Sequence, residues 1–204
     1  MNEPRASSAF SIRPAIDADI PALADLIPRS ARALQAPYYS PAEIEAALGP
    51  VFAIDRQLIA DGTYYVVEHG NNVVGCGGWS RRLAVFGGDT ASAGAPVELD
   101  AQHDPARIRA FFVDPVWARR GVGRLLLATC EAALQAAGFQ KAVLVATLAG
   151  EPLYLAAGYS VVERYEVPLD TGEMLPVTRM TKSFGIAPPN KRISASTTPF
   201  RLPD

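Results

Sequence analysis

The sequence predicts a single α/β domain, a mixed sheet flanked by helices, and three observations lead there. Strand-like segments alternate with segments of helical apolar spacing along most of the chain. The 204 residues suit one compact domain, and with 49% of them hydrophobic they can fill a substantial core. One strand runs straight into a helix through a turn rich in glycine and arginine. No internal repeat interrupts this pattern.

Taken in order, Phe10-Ser11-Ile12-Arg13-Pro14-Ala15 alternates apolar and polar residues as a short half-buried strand does. Asp17 and Asp19 precede a helix over 20–34, in which Leu23, Leu26 and Ile27 recur at helical spacing; Pro28 is expected to kink or divide it. Ser40-Pro41-Ala42-Glu43 has the form of a capping box with proline at the first helical position, opening a short helix to about Leu48. Residues 63–68 are rich in β-formers, Gly70-Asn71-Asn72 supplies a turn, and 73–85 return as the second strand of a hairpin. Gly75, Gly77 and Gly78 weaken the middle of that strand and point to a bulge.

Residues 86–105 read as a long irregular loop, and loops of that length in a small domain usually serve function, so a lid or substrate-facing loop is expected. A strand over 107–113 follows, then a helix over 120–137. Its apolar face is Val122, Leu125, Leu126, Cys130, Ala133, Leu134 and Ala137, and Gly138 ends it. Strands over 141–147, 160–167 and 173–182 remain, with a short helix at 152–157 and a turn at Asp170-Thr171-Gly172. The expected organisation is a flexible N-terminus at 1–8, one domain over 9–182, and an extended or mobile tail at 183–204, where proline, serine and threonine dominate.

Composition excludes several functions. A net charge of −2, with no basic run or basic–aromatic stripe, argues against nucleic acid as a partner. No apolar stretch approaches the roughly 18–20 residues that span a membrane, and residues 1–8 lack the charged-then-apolar form of a secretory signal. Cys76 and Cys130 make neither a disulfide framework nor a metal cluster, and His69 and His103 stand apart from them and from each other. The expected setting is the reducing cytoplasm, with no metal.

The glycine turn carries the chemistry. Arg107-Ile108-Arg109-Ala110-Phe111-Phe112-Val113 leads through Asp114-Pro115 into Ala118-Arg119-Arg120-Gly121-Val122-Gly123-Arg124. A helix start leaves N–H groups without partners and is partly positive, and glycines there let a phosphate approach. Arginine at a helix start opposes the dipole unless an anion is present, so Arg119, Arg120 and Arg124 together point to one. No Lys-Ser or Lys-Thr follows the glycines, which excludes a P-loop, and Leu126 stands where a dinucleotide fingerprint needs its third glycine.

This turn resembles the coenzyme A loop of the Gcn5-related N-acetyltransferase (GNAT) family, Gln/Arg-x-x-Gly-x-Gly/Ala, with Ala118 at the first position. A second segment, Ala149-Gly150-Glu151-Pro152-Leu153-Tyr154-Leu155-Ala156-Ala157-Gly158-Tyr159, is similar to the family's Asn-x-x-Ala-x-x-Phe-Tyr-Glu-x-x-Gly-Phe. Leu153-Tyr154 falls on Phe-Tyr and Gly158-Tyr159 on Gly-Phe; Thr147 and Gly150 stand where the family has Asn and Ala. The likeness covers roughly residues 9–182 in layout and is sharp over 107–160. It implies the acyl-CoA N-acyltransferase fold: a mostly antiparallel sheet, splayed in the middle beside the cofactor.

The resemblance also implies a site. Acetyl-CoA, as co-substrate, would be held by Arg119, Arg120, Gly121, Val122, Gly123 and Arg124 at its pyrophosphate, with Thr147 nearby. Backbone groups of Phe112 and Val113 would pair with the pantetheine arm and polarise the thioester carbonyl. Tyr154 would be the acid that protonates the departing thiolate. The base is not assigned: Glu98, Asp100, Asp104 and Glu173 are near in the chain only. Tyr38 and Tyr39 are expected to line the acceptor pocket, and Arg107 or Arg109, if turned into the cleft, would favour an acidic acceptor. The implied reaction moves an acetyl group to a primary amine of a small molecule or protein by direct attack in a ternary complex. The alternatives are a non-catalytic acyl-CoA-binding module or sensor of the same fold, and an unrelated nucleotide- or phosphate-binding domain that shares the turn. The family's habit of pairing through its C-terminal strands implies a homodimer.

Overall fold

In the computed structural model, which describes residues 10–83 and 97–185, seven strands build one sheet. They are β1 (Ser11–Pro14), β2 (Tyr64–His69), β3 (Asn72–Ser80), β4 (Ala106–Val113), β5 (Lys141–Thr147), β6 (Ser160–Pro168) and β7 (Met174–Ser183), in the order β1-β2-β3-β4-β5-β7-β6. Every neighbouring pair is antiparallel except β4 with β5. Helices α1 (Ile20–Gln35), α2 (Pro41–Ala47) and α3 (Arg56–Ala60) cover one face, where Leu23, Leu26, Ile44 and Leu58 meet Tyr64, Val66, Cys76 and Phe112. Helices α4 (Val122–Ala136) and α5 (Glu151–Ala156) cover the other, where Leu127, Cys130 and Leu134 pack on Ile108, Leu144 and Met180.

Local sequence explains most of these boundaries. Ser40 Oγ accepts from Glu43 N–H while Glu43 Oε2 accepts from Ser40 N–H at 2.7 Å, the reciprocal cap expected at the start of α2. Gly138, at φ +94°, ends α4 by donating to Gln135 O. Three expectations need correction. Pro28 does not divide α1, because the buried face of Leu23, Leu26, Ile27, Ser30 and Ala31 carries the helix through it. The return strand ends at Ser80 instead of 85. A third helix, α3, was not anticipated; Asp55 caps it by accepting from Leu58 N–H at 3.1 Å.

The sheet opens in its middle. Pairing between β4 and β5 is confined to Ala106↔Ala142, Arg107↔Val143 and Ile108↔Leu144, so residues 109–113 and 145–147 run on without each other. A bulge lies at that point. Ala110 and Phe111 together face Gly77 alone, and Ala110 takes φ +59°. Gly77 is required there, since a Cβ would stand 2.5 Å from the Phe111 ring. The expected irregularity at the β3 glycines is therefore present, but the extra residue belongs to β4.

Residues 97–105 of the anticipated loop are ordered by an isolated bridge, Arg82↔Glu98, and by a turn in which His103 and Asp104 N–H donate to Asp100 O. The expectations for 1–8, 86–96 and 186–204 lie outside the described residues. No helix among the described residues is long and apolar enough to cross a membrane.

Candidate active site

The turn between β4 and α4 is built by two left-handed residues, Arg119 at φ +62° and Gly121 at φ +95°. Asp114 fixes its entry: its N–H donates to Val74 O and its side chain accepts from Val116 N–H, holding Pro115 to Trp117 in a 3-10 turn. Helix α4 begins at Val122, and its first intrahelical acceptor is Gly121 O, taken by Leu125 N–H. As a result none of the N–H groups of residues 119–124 meets an acceptor among the described residues within hydrogen-bonding geometry. A row of unbonded amides at a helix start is the kind of feature that attracts anions. Arg119, Arg120 and Arg124 surround it, exposed and without an ion pair among the described residues; Arg120 lies over the Trp117 ring at 5.0 Å.

This turn sits at the mouth of the opening between β4 and β5. A Cβ on Gly123 would stand 3.2 Å from Leu153 of α5 and 4.0 Å from Val113 of β4, so the helix start touches both sides. Gly75, on β3, lets Val122 settle on the sheet, where any Cβ would meet it at 2.5 Å. At the C-terminal end of β5, Thr147 Oγ1 accepts from Gly150 N–H at 3.2 Å and leads the chain into α5. That helix brings Tyr154 across from β4, its ring centroid 6.2 Å from Phe111 and 5.8 Å from Tyr159. Tyr154 is buried, and its hydroxyl has no hydrogen-bond partner among the described residues. Burial pushes its phenol well above the ordinary range, so it stays protonated.

The backbone groups of β4 are less open. Val113 N–H donates to Ser30 Oγ of α1 at 3.1 Å, and Phe112 N–H is directed to Cys76 on β3. Ser30, a buried polar residue on the apolar side of α1, was missed by sequence reasoning; its place on a stripe of Leu26 and Ile27 was the available signal. Cys76 accepts from Tyr64 Oη at 3.2 Å, and burial raises its thiol to about 12. Neither it nor buried Cys130 is paired, and no cluster of described residues could hold a metal ion.

The remaining candidates separate. Tyr39 is buried away from solvent, its hydroxyl donating to Pro176 O at 2.7 Å and accepting from Leu148 N–H at 2.9 Å, whereas Tyr38 is exposed. Arg109 is held in an ion pair with Asp55 at 2.9 Å. Glu98 lies 3.8 Å from Arg82, Asp100 holds His103, and Asp104 accepts from Asp100 N–H. Of the four carboxylates considered for a base, Glu173 alone has a buried oxygen with no donor among the described residues.

A sheet parted beside a helix start with unbonded amides defines the acyl-CoA N-acyltransferase class of fold. The model of the acetyltransferase (GNAT) family matches residues 29–159, and the chain belongs to that family. A search of curated protein sequences gives no match. Among solved structures, a GCN5-related N-acetyltransferase from Rhodopseudomonas palustris superposes with a TM-score of 0.65 at 22% identity, over 87% of this chain and 97% of that one. The PaiA N-acetyltransferase from Thermoplasma acidophilum, solved with coenzyme A, gives 0.59 at 15% identity over 86% and 99%. YncA from Salmonella typhimurium, solved with acetyl-CoA, gives 0.57 at 18% over 88% and 96%. At these identities the likeness establishes the fold, and the family match establishes acetyl transfer as the general activity.

Proposed function

We propose that the protein transfers an acetyl group from acetyl-CoA to a primary amine on a small molecule or a protein, by direct attack with both substrates bound. The observation that carries this reading is the row of unbonded amides at residues 119–124, facing the parted edges of β4 and β5. These amides, with Arg119, Arg120 and Arg124 around them, would hold the diphosphate of the coenzyme. The stretch 109–113, paired to β3 but not to β5, offers its open edge to an extended pantetheine arm. The Ser30 hydroxyl occupies the Val113 amide and, being a rotatable donor and acceptor, can yield it to a thioester carbonyl. Thr147 ends β5 at the same opening and turns the chain toward Tyr154.

In the reaction the acceptor nitrogen bonds to the acetyl carbon, the carbon–sulfur bond breaks, the amine gives up a proton and the thiolate gains one. Tyr154 is the proton donor of this scheme. Its buried, protonated phenol has no competing partner among the described residues, which supports donation to a sulfur placed beside it. Calorimetric titration with acetyl-CoA and with ADP, followed by thiol release with an amine panel, tests the reading. Binding that prefers acetyl-CoA together with amine-dependent release supports it. Binding without release from any amine supports a sensor in its place, and equal affinity for ADP removes coenzyme recognition altogether.

A further inference from the structure

The face of the sheet turned away from α4 carries three arginines near the point where β4 and β5 part. Ile108 and Leu144 face α4, so Arg107, Val143 and Val145 face the other way, and Arg179, registered opposite Val145, joins them. Two of the three cations are matched. Arg109 meets Asp55 at 2.9 Å, and Arg179 meets Glu163 at 2.7 Å with the Tyr165 ring 5.5 Å away. Arg107 is not matched: it makes no ion pair among the described residues, and its Nε is buried without an acceptor. Asp104 acts on it through its field without contact, while Arg179 and Arg109 repel it.

Arg107 and Arg179 line one cavity of about 170 Å³, together with Ile108, Val143, Leu144 and Val145. A half-buried guanidinium with an unsatisfied N–H carries a desolvation cost that an incoming anion offsets. Val143 and Val145 supply the rest of its side-chain wall and the main chain of Ile108 and Leu144 its floor, so an anion entering it meets the arginines as its charged partners. With Asp55 and Glu163 each taken, one positive charge is left over, which suits a singly charged carboxylate better than a doubly charged phosphate.

We propose that this cavity is the subsite for the acceptor's own acid group, and that the acceptor is a primary amine bearing a carboxylate, as an amino acid does, with Arg107 as its principal ligand and Arg179 beside it. The proposal rests on the acetyl-transfer reading. A carboxylate seated where the strands part leaves the amine to reach toward the opening at residues 109–113, on the face opposite α4. Arg109, its twin in sequence, takes no part because Asp55 already neutralises it.

The test uses the full chain with saturating acetyl-CoA and matched acceptors: amino acids, their carboxamides, and 2-aminoethyl phosphate, followed by thiol release. The expected result is a kcat/KM for the carboxylates about 10–100-fold above that for the amides, the range a charge-assisted hydrogen bond supplies. Arg107→Gln should bring the ratio to about one, mainly through KM, with acetyl-CoA affinity by calorimetry unchanged, and Arg107→Lys should restore part of it. Amides or the phosphate amine used as well as the carboxylates by the unaltered protein would overturn the proposal without touching acetyl transfer. An Arg107→Gln variant that binds acetyl-CoA and keeps the full ratio would overturn it equally. If acetyl-CoA binds but no amine in the panel reacts, titration of that complex with N-acetylalanine and N-acetylalaninamide decides the matter: tighter binding of the acid supports the subsite, and equal binding overturns it. Loss of acetyl-CoA binding by the unaltered protein would instead sink the proposed function.

Discussion

Arg109 Nε lies 2.9 Å from Asp55 Oδ2, and the two side chains are 8% and 3% exposed. Asp55 also caps α3, so one carboxylate answers both a helix start and a buried cation. Asp55→Ala removes the carboxylate nearest to a buried guanidinium and a helix cap together, and a loss of about 3–5 kcal/mol is expected. Urea unfolding measures it. The double substitution with Arg109→Met should be less damaging than Asp55→Ala alone; an additive loss would show that the pair is not coupled.

Gly121 and Gly123 should respond differently to a methyl group. Gly121→Ala forces an L-residue to φ +95°, costing about 1–2 kcal/mol and tilting the amides that follow, so acetyl-CoA affinity should fall with stability. Gly123→Ala meets the flexible end of Leu153 at 3.2 Å and Val113 at an ordinary 4.0 Å, and sits in a helix, where alanine is favoured by up to about 1 kcal/mol. Its melting temperature should hold or rise. Equal destabilisation by the two would contradict the turn geometry.

Tyr154→Phe should slow amine-dependent thiol release by about a hundredfold or more while acetyl-CoA binds as before. Because burial raises the phenol's pKa, its ionisation should produce no fall in rate up to about pH 10, near where an exposed tyrosine titrates. A phenylalanine variant that turns over at the parent rate would exclude Tyr154 as the proton donor.

Acid should weaken the fold through two identifiable carboxylates. Hydrogen bonds from Arg13 hold Asp19 below its ordinary pKa, and hydrogen bonds from Arg82 do the same for Asp61. A depressed folded-state value means that the stabilisation is complete above the unfolded pKa, about 3.9, and is lost as pH falls through the folded one. Urea midpoints should therefore stay level between about pH 7 and 5 and drop below about pH 4. For Asp19→Asn, the deficit against the parent should be largest near neutrality and close as the medium becomes acid; a constant deficit would assign Asp19 a purely steric role.

The parts of this molecule legible in the sequence are those where local chemistry decides. Gly121 and the arginines around it announce the turn, Ser40 and Glu43 announce α2, and Leu153-Tyr154 with Gly158-Tyr159 locate α5. What escaped is tertiary. The five-residue α3 is too short to show a period, and Ser30 becomes meaningful only when α1 lies across Val113. Arg107 and Arg109 look alike two positions apart. Asp55, more than fifty residues upstream, separates them, and Arg179, on a strand that reaches β5 only in the folded sheet, gives Arg107 its setting.

Three residue pairs are all that tie β4 to β5. A seam so short divides the sheet: the strands on one side carry the glycine turn at their end, while those on the other carry Arg179 and the hairpin beyond it. Changes in that outer hairpin need not re-thread the strands that feed the turn. A sheet joined by so little can admit change on one side while the other keeps its register.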